Sequence, residues 1–161
     1  MIKYSSMTKL KVGDKAPEFE GEDESGNKVS LAGYKGKKLV LYFYPKDSTP
    51  TCTVESCNLR DNYEMLLDKG FEVLGVSADT VQRHQNFIKK QNLPFHLLVD
   101  TEKVVINKYG VWGPKKFMGR LFDGIHRTTF VIDENGVIEA VIDKVTAKSH
   151  AAQILEALNM N

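Results

Sequence analysis

The chain has 161 residues, of which 42% are hydrophobic and 27% charged, and its formal net charge is +1. This is ordinary globular composition, with length enough for one domain and one real core. The near-neutral balance and dispersed lysines argue against electrostatic capture of nucleic acid or an anionic membrane, and no apolar run nears the roughly 20 residues of a membrane span.

The first residues, Met1-Ile2-Lys3-Tyr4-Ser5-Ser6-Met7, contain no apolar stretch of signal-peptide length. The expectation is a cytoplasmic chain whose residues 1–8 form a flexible terminus. Short strands are expected at residues 19–20 and 28–31, joined by the turn Ser25-Gly26-Asn27 into an N-terminal hairpin. Leu39-Val40-Leu41-Tyr42-Phe43-Tyr44 is a continuous apolar run ended by Pro45. A strand covered on both faces reads this way.

A helix is expected from Pro50 to Asp68. Thr49 suits the N-cap and Pro50 the first helical position, while Leu59, Tyr63, Leu66 and Leu67 recur at helical spacing. Gly70 ends it. A strand follows at residues 71–76. Asp79 is read as the cap of a helix reaching Gln91, with Gln82 as its capping-box partner. Residues 95–99 read as a strand and 104–109 as a short helix. Residues 112–124 hold three glycines and a proline, and read as a long mobile loop. Strands at 128–133 and 137–142 form a hairpin through Glu134-Asn135-Gly136. A closing helix at 147–158 turns Ala151, Ile154, Leu155 and Leu158 inward. The order β-α-β-α-β-(α)-β-β-α, without repeat or linker, predicts a single α/β domain. Its central mixed sheet would be flanked by helices in the thioredoxin-like arrangement.

The chain has two cysteines, Cys52 and Cys57. Two are too few for a disulfide scaffold, so a transient bridge is the better expectation in a reducing compartment. With Thr49 as N-cap, Cys52 falls in the first helical turn. Unpaired backbone N–H groups and the positive end of the helix dipole there favour a thiolate, the nucleophilic form. A buried structural cysteine is the plainer alternative. Five positions along an ideal helix give roughly 7.5 Å of rise and a Cα separation of roughly 8.6 Å. That exceeds the ~7 Å reach of a disulfide. Either the two never pair, or the first turns unwind when they do. A zinc site is disfavoured by the spacing and by the scatter of His84, His96, His126 and His150, and no Cys-x-x-Cys is present. His126 is the one candidate base for a cysteine hydrolase.

Pro45-x-x-x-Thr49-x-x-Cys52 resembles the peroxiredoxin active-site pattern. Tyr42-Phe43-Tyr44-Pro45-Lys46-Asp47-Ser48-Thr49-Pro50-Thr51-Cys52-Thr53-Val54-Glu55 is similar to the bacterioferritin comigratory protein (peroxiredoxin Q) branch, as is Gly124-Ile125-His126-Arg127-Thr128-Thr129-Phe130-Val131-Ile132-Asp133. The resemblance runs from Lys11 to Leu158. Thr51 departs from it, standing where the branch commonly has glycine. The resemblance implies a thioredoxin-dependent thiol peroxidase acting on hydrogen peroxide and organic hydroperoxides. Cys52 would be the peroxidatic cysteine, Thr49 and Arg127 its polar partners, and Pro45 its shield. Glu55 could orient Arg127 or simply favour the helix start. Cys57, the only other cysteine, would be the intramolecular resolving thiol. No metal, haem or flavin is implied; thioredoxin or a similar dithiol protein is the external reductant. The implied state is a monomer, with no nucleic-acid or membrane partner. Two alternatives are a one-cysteine peroxidase resolved by a small thiol, and a redox sensor or binding module that uses the Cys52–Cys57 switch without efficient turnover.

Overall fold

The computed structural model describes residues 8–160. At their centre is a mixed sheet of seven strands. These are β1 (Glu20–Asp23), β2 (Lys28–Ser30), β3 (Lys38–Phe43), β4 (Phe71–Ser77), β5 (His96–Val99), β8 (Thr128–Ile132) and β9 (Ile138–Ile142). Their spatial order is β2-β1-β5-β4-β3-β8-β9. β3, β4 and β5 run parallel; β8 and β9 extend the sheet antiparallel beyond β3, and β1 and β2 do so beyond β5. The helices are α1 (Pro50–Asp61), α2 (Tyr63–Asp68), α3 (Val81–Gln91), α4 (Val104–Lys108) and α5 (His150–Ala157).

β3 shows why the apolar run had to be continuous. Successive side chains of a strand point to opposite faces. Leu39, Leu41 and Phe43 join one core with Leu74, Val76, Leu98, Tyr109 and Phe130. Val40, Tyr42 and Tyr44 join the other, with Leu59, Phe87, Val131, Ile154 and Cys52 itself. Each large apolar side chain so buried contributes about 1.5–3 kcal/mol relative to exposure. Gly75 on β4 is required by this packing, since a Cβ there would lie 2.7 Å from Leu97 and 2.8 Å from the Tyr42 ring.

Several local expectations are corrected. The helix from Pro50 breaks at Asn62, whose side-chain amide takes the Asn58 carbonyl at 2.8 Å. Competition of this kind is what weakens asparagine inside helices. Leu67 is exposed rather than inward. Thr80, not Asp79, caps α3, its side chain accepting from Arg83 N, and Gln82 turns to Asn86. A 3₁₀ turn, Ala147–Ser149, precedes α5.

The largest correction is at residues 112–124. They form a two-stranded antiparallel hairpin, β6 (Trp112–Phe117) with β7 (Arg120–Ile125). Its tip is Met118-Gly119, with φ of 51° and 80°. Two positive φ values suit the twist of a tight hairpin, but methionine is an unusual residue for the first. Of the expected flexible terminus, residues 1–7 lie outside the described residues. Thr8 is buried and its hydroxyl donates to Tyr109 O at 2.7 Å.

Candidate active site

The link from β3 to α1 sets up the site. Ser48 lies in the left-handed region at φ 63°. It turns the chain so that Thr49 is extended and Pro50 opens the helix. A non-glycine residue there carries a cost of roughly 1 kcal/mol. Two bonds hold it: Asp47 N donates to Asp79 Oδ2 at 2.8 Å, and Thr49 Oγ1 donates to Lys46 O at 2.8 Å. The Thr49 side chain therefore makes no cap bond; only its carbonyl enters the helix, accepting from Thr53 N. Pro45 is half-buried beside this link.

Cys52 is the third residue of α1 and fully buried. Arg127 reaches it from the far side of β3. The register pairs Phe43 with Thr128, so Arg127, one residue earlier, stands at the end of β3 from which α1 departs. One guanidinium arm, Nη2, donates to Cys52 Sγ at 3.2 Å; the other, Nη1, donates to Glu55 Oε1 at 2.6 Å. Cys52 and Glu55 lie one turn apart on the same face of α1, where a single planar fork can meet both. Burial works against the Arg127 charge, but Cys52 and Glu55 outweigh it and hold its pKa above the ordinary value. Burial pushes the Glu55 carboxyl up to about 7, with Arg127 opposing. Lys115 of β6 donates to Ile125 O at 2.7 Å, and its pKa is lowered by burial and then by Arg127.

Cys57 lies on α1, half-buried, with Sγ 3.4 Å from Gln91 Oε1 at the end of α3. Both thiols are free. His126, the alternative base, bonds through Nε2 to Pro114 O at 2.9 Å. A carbonyl only accepts, so that nitrogen carries hydrogen and has no lone pair to offer Cys52.

Some site residues escaped sequence reasoning. Tyr42 and Ser56 share a buried hydroxyl pair at 2.9 Å. Asp47 is bonded to Tyr44 and to His84 of α3. His150 stands 3.6 Å from Glu55. Asp47 lies inside the motif, but nothing local marks it as buried, and His84 and His150 reach the site only through the packing of α3 and α5. A depression of about 360 Å³ opens beside Pro45 and Lys46, bounded by Trp112, Lys115 and Phe122. Among the described residues, no helix is long and apolar enough to cross a membrane.

A thioredoxin-like sheet, with a buried thiol in the first turn of a helix and a fixed guanidinium on its sulfur, defines a thiol-based oxidoreductase. Residues 12–141 match the model of the AhpC/TSA family. The chain is 48% identical over 149 residues to a putative peroxiredoxin bcp of Coxiella burnetii, covering 92% of this chain and 99% of that one. It is 44% identical over 152 residues to peroxiredoxin Bcp of Escherichia coli, covering 94% and 97%. A solved structure of Xanthomonas campestris peroxiredoxin Q superposes with a TM-score of 0.83 at 32% identity, covering 94% of this chain and 96% of that one. The chain belongs to the AhpC/TSA family, as a peroxiredoxin of the bacterioferritin comigratory protein (peroxiredoxin Q) branch, and is thus a peroxidase with a thioredoxin-like fold.

Proposed function

We propose that the protein reduces hydrogen peroxide and organic hydroperoxides through Cys52, resolves the product with Cys57, and is recycled by thioredoxin or a similar dithiol protein. The observation that carries this reading is the 3.2 Å contact from Arg127 Nη2 to a fully buried first-turn sulfur. The Cys52 thiolate attacks the terminal peroxide oxygen. An S–O bond forms, the O–O bond breaks, and the departing oxide takes a proton to become water or an alcohol. The sulfur is oxidised to a sulfenic acid and the peroxide is reduced. The thiolate supplies the electrons, so the scheme calls for no metal, haem or flavin.

Each neighbour has a task. Arg127 stays charged and can stabilise both the thiolate and negative charge growing on the peroxide oxygens. Thr49 already donates to Lys46 O, so its hydroxyl oxygen is left to act as an acceptor for the peroxide hydrogen. Pro45 offers no N–H and limits water. The depression at Trp112 and Phe122 can take the organic part of an alkyl hydroperoxide.

Resolution requires movement. Cys52 and Cys57 share α1, and a helix holds their Cα atoms roughly 8.6 Å apart, beyond disulfide reach. The first turns of α1 must unwind, and Cys57 must leave Gln91. The Cys57 thiolate then attacks the Cys52 sulfur, the S–S bond forms, and hydroxide departs with a proton as water. Thiol exchange with the external dithiol restores both thiols. We place this cycle in a cytoplasmic monomer.

The test is steady-state consumption of hydrogen peroxide with thioredoxin, thioredoxin reductase and NADPH. The expected result is NADPH oxidation that depends on all components and is lost in Cys57→Ser. Rapid Cys52 oxidation without turnover would overturn the peroxidase cycle in favour of a sensor. Turnover by Cys57→Ser with a small thiol, equal to wild type, would overturn the resolving role.

A further inference from the structure

Cys57 can reach Cys52 only after leaving α3, and one residue of α3 holds its thiol. Positions five apart on a helix differ by about 140° of rotation. Cys52 faces the core and Arg127, whereas Cys57 faces the end of α3, with Sγ 3.4 Å from Gln91 Oε1. Both Cys57 and Gln91 are half-buried. A carbonyl oxygen only accepts, so this contact uses the protonated thiol as donor. The nucleophile of the resolving step is the thiolate. The contact that keeps Cys57 on α3 thus also keeps it in its unreactive form.

The end of α3 is tied to α1 at a second point. Gln91 is the last residue of α3, so its backbone carbonyl has no acceptor role within the helix. Arg60 Nη1 donates to that carbonyl at 2.7 Å and brings a cation to the negative end of α3. Cys57 and Arg60 are three positions apart on one face of α1. Residue 91 therefore meets that face twice: its main chain takes Arg60 and its side chain takes Cys57. Neighbouring positions of α1 are fastened elsewhere. Ser56 Oγ pairs with the Tyr42 hydroxyl at 2.9 Å, and Asn58 donates to Lys148 O and accepts from Ala151 N, both at 2.9 Å. Those bonds hold the helix on either side of Cys57, while Gln91 Oε1 holds the thiol itself.

We propose that Gln91 is a positioning residue of the resolving step: it retains Cys57 as a protonated thiol against α3 and so delays disulfide formation after Cys52 has been oxidised. The inference rests on the resolving role given to Cys57 above. The delay has a chemical consequence. While the Cys52 sulfenic acid persists, its sulfur can attack a second peroxide. A further S–O bond forms, the O–O bond breaks, and the products are a sulfinic acid and water or an alcohol. That step competes with attack by Cys57, which forms the S–S bond and releases water. Gln91 thereby sets how much peroxide the protein withstands before Cys52 passes to the sulfinic acid.

The experiment is rapid-quench mass spectrometry of reduced protein mixed with hydrogen peroxide, on wild type, Gln91→Ala and Gln91→Glu. Gln91→Ala leaves the main-chain carbonyl to Arg60 and keeps a good helix former, so it removes only the acceptor of the thiol. The Cys52 sulfenic acid should form at the wild-type rate and convert to the disulfide roughly 2–5-fold faster. The peroxide concentration giving half-conversion to the sulfinic acid should rise by the same factor. Gln91→Glu keeps an acceptor there, and its charge opposes a thiolate, so the disulfide should form more slowly than in wild type. Disulfide rates that are unchanged, or that move in the same direction in both variants, would overturn the proposal and leave Gln91 a packing residue of the helix end. Hydrogen exchange of the reduced protein gives a second reading. Gln91→Ala should speed exchange in residues 50–60, and with Cys57→Ala in place the same substitution should add nothing, since the thiol it acts through is gone. Equal acceleration in both backgrounds would refute the proposal. Turnover by Cys57→Ser equal to wild type would instead refute the resolving role, while the exchange cycle would remain readable.

Discussion

Two carboxylates are buried close to the start of α1, and the fold treats them in opposite ways. Asp47 has both oxygens occupied: Tyr44 donates to Oδ1, and Oδ2 lies 2.6 Å from His84 Nδ1. His84 Nε2 in turn donates to Leu98 O at 2.9 Å. That nitrogen carries the hydrogen, since a carbonyl only accepts, and the ring is held at both ends. Glu55 has one oxygen on Arg127 and one with no hydrogen-bond partner among the described residues. A saturated carboxylate fixes the chain, whereas a half-satisfied one remains free to change charge. The first holds the link that turns β3 into α1. The second sits where the reacting sulfur needs its surroundings adjusted.

The contrast can be broken most directly at Asp47. His84→Leu should strand that carboxylate and cost about 3–5 kcal/mol in urea unfolding of the reduced protein. A loss under about 1 kcal/mol would mean that the pair does not anchor the link. Arg127→Ala comes next. It should slow Cys52 oxidation by about 10²–10³-fold while the protein stays folded near pH 6, where Glu55 is largely protonated. Unchanged oxidation kinetics would remove Arg127 from the mechanism.

Glu55→Gln reads the second carboxylate through stability. The folded pKa of Glu55 is raised to about 7 from 4.5, so the folded state binds this proton more tightly than the unfolded chain. Its contribution is complete below about pH 4.5 and is lost as pH rises through about 7. The stability of Glu55→Gln relative to wild type should therefore rise by on the order of 3 kcal/mol between those limits. A pH-independent difference would place Glu55 among ordinary surface-like carboxylates. The smallest effect is expected at His96, which pairs with Glu24 at 2.9 Å but is 60% exposed. His96→Ala should cost less than about 1 kcal/mol. A larger loss there would show that burial is not what separates these pairs.

The elements easiest to read in the sequence were those with a single repeating demand. Leu39 to Tyr44 had to be covered on both faces, and Thr49-Pro50 had to open a helix; both hold in the structure. Cys52 and Arg127 are 75 positions apart and were linked by resemblance to a known family, not by any local pattern. The β6–β7 hairpin escaped because Gly113, Pro114 and three lysine or arginine positions mask its alternation. Its one signal was Met118-Gly119, a two-residue turn containing glycine. Asn62 and Thr80 escaped because cap and break choices depend on which of several competing side-chain bonds forms. His84, His150 and the burial of Asp47 and Glu55 could not be read locally, since only the packing of α3 and α5 onto the sheet creates those contacts.

The central claim is that Cys52 takes the oxidising equivalent and that Cys57 reaches it only when the start of α1 opens. Mass spectrometry of the reduced protein, quenched milliseconds after mixing with one equivalent of hydrogen peroxide, tests this most directly. Wild type should lose two hydrogens as a Cys52–Cys57 disulfide, and Cys57→Ser should gain one oxygen on Cys52 at the same initial rate. Oxidation that begins on Cys57, or a Cys57→Ser protein whose Cys52 remains a thiol, would contradict it.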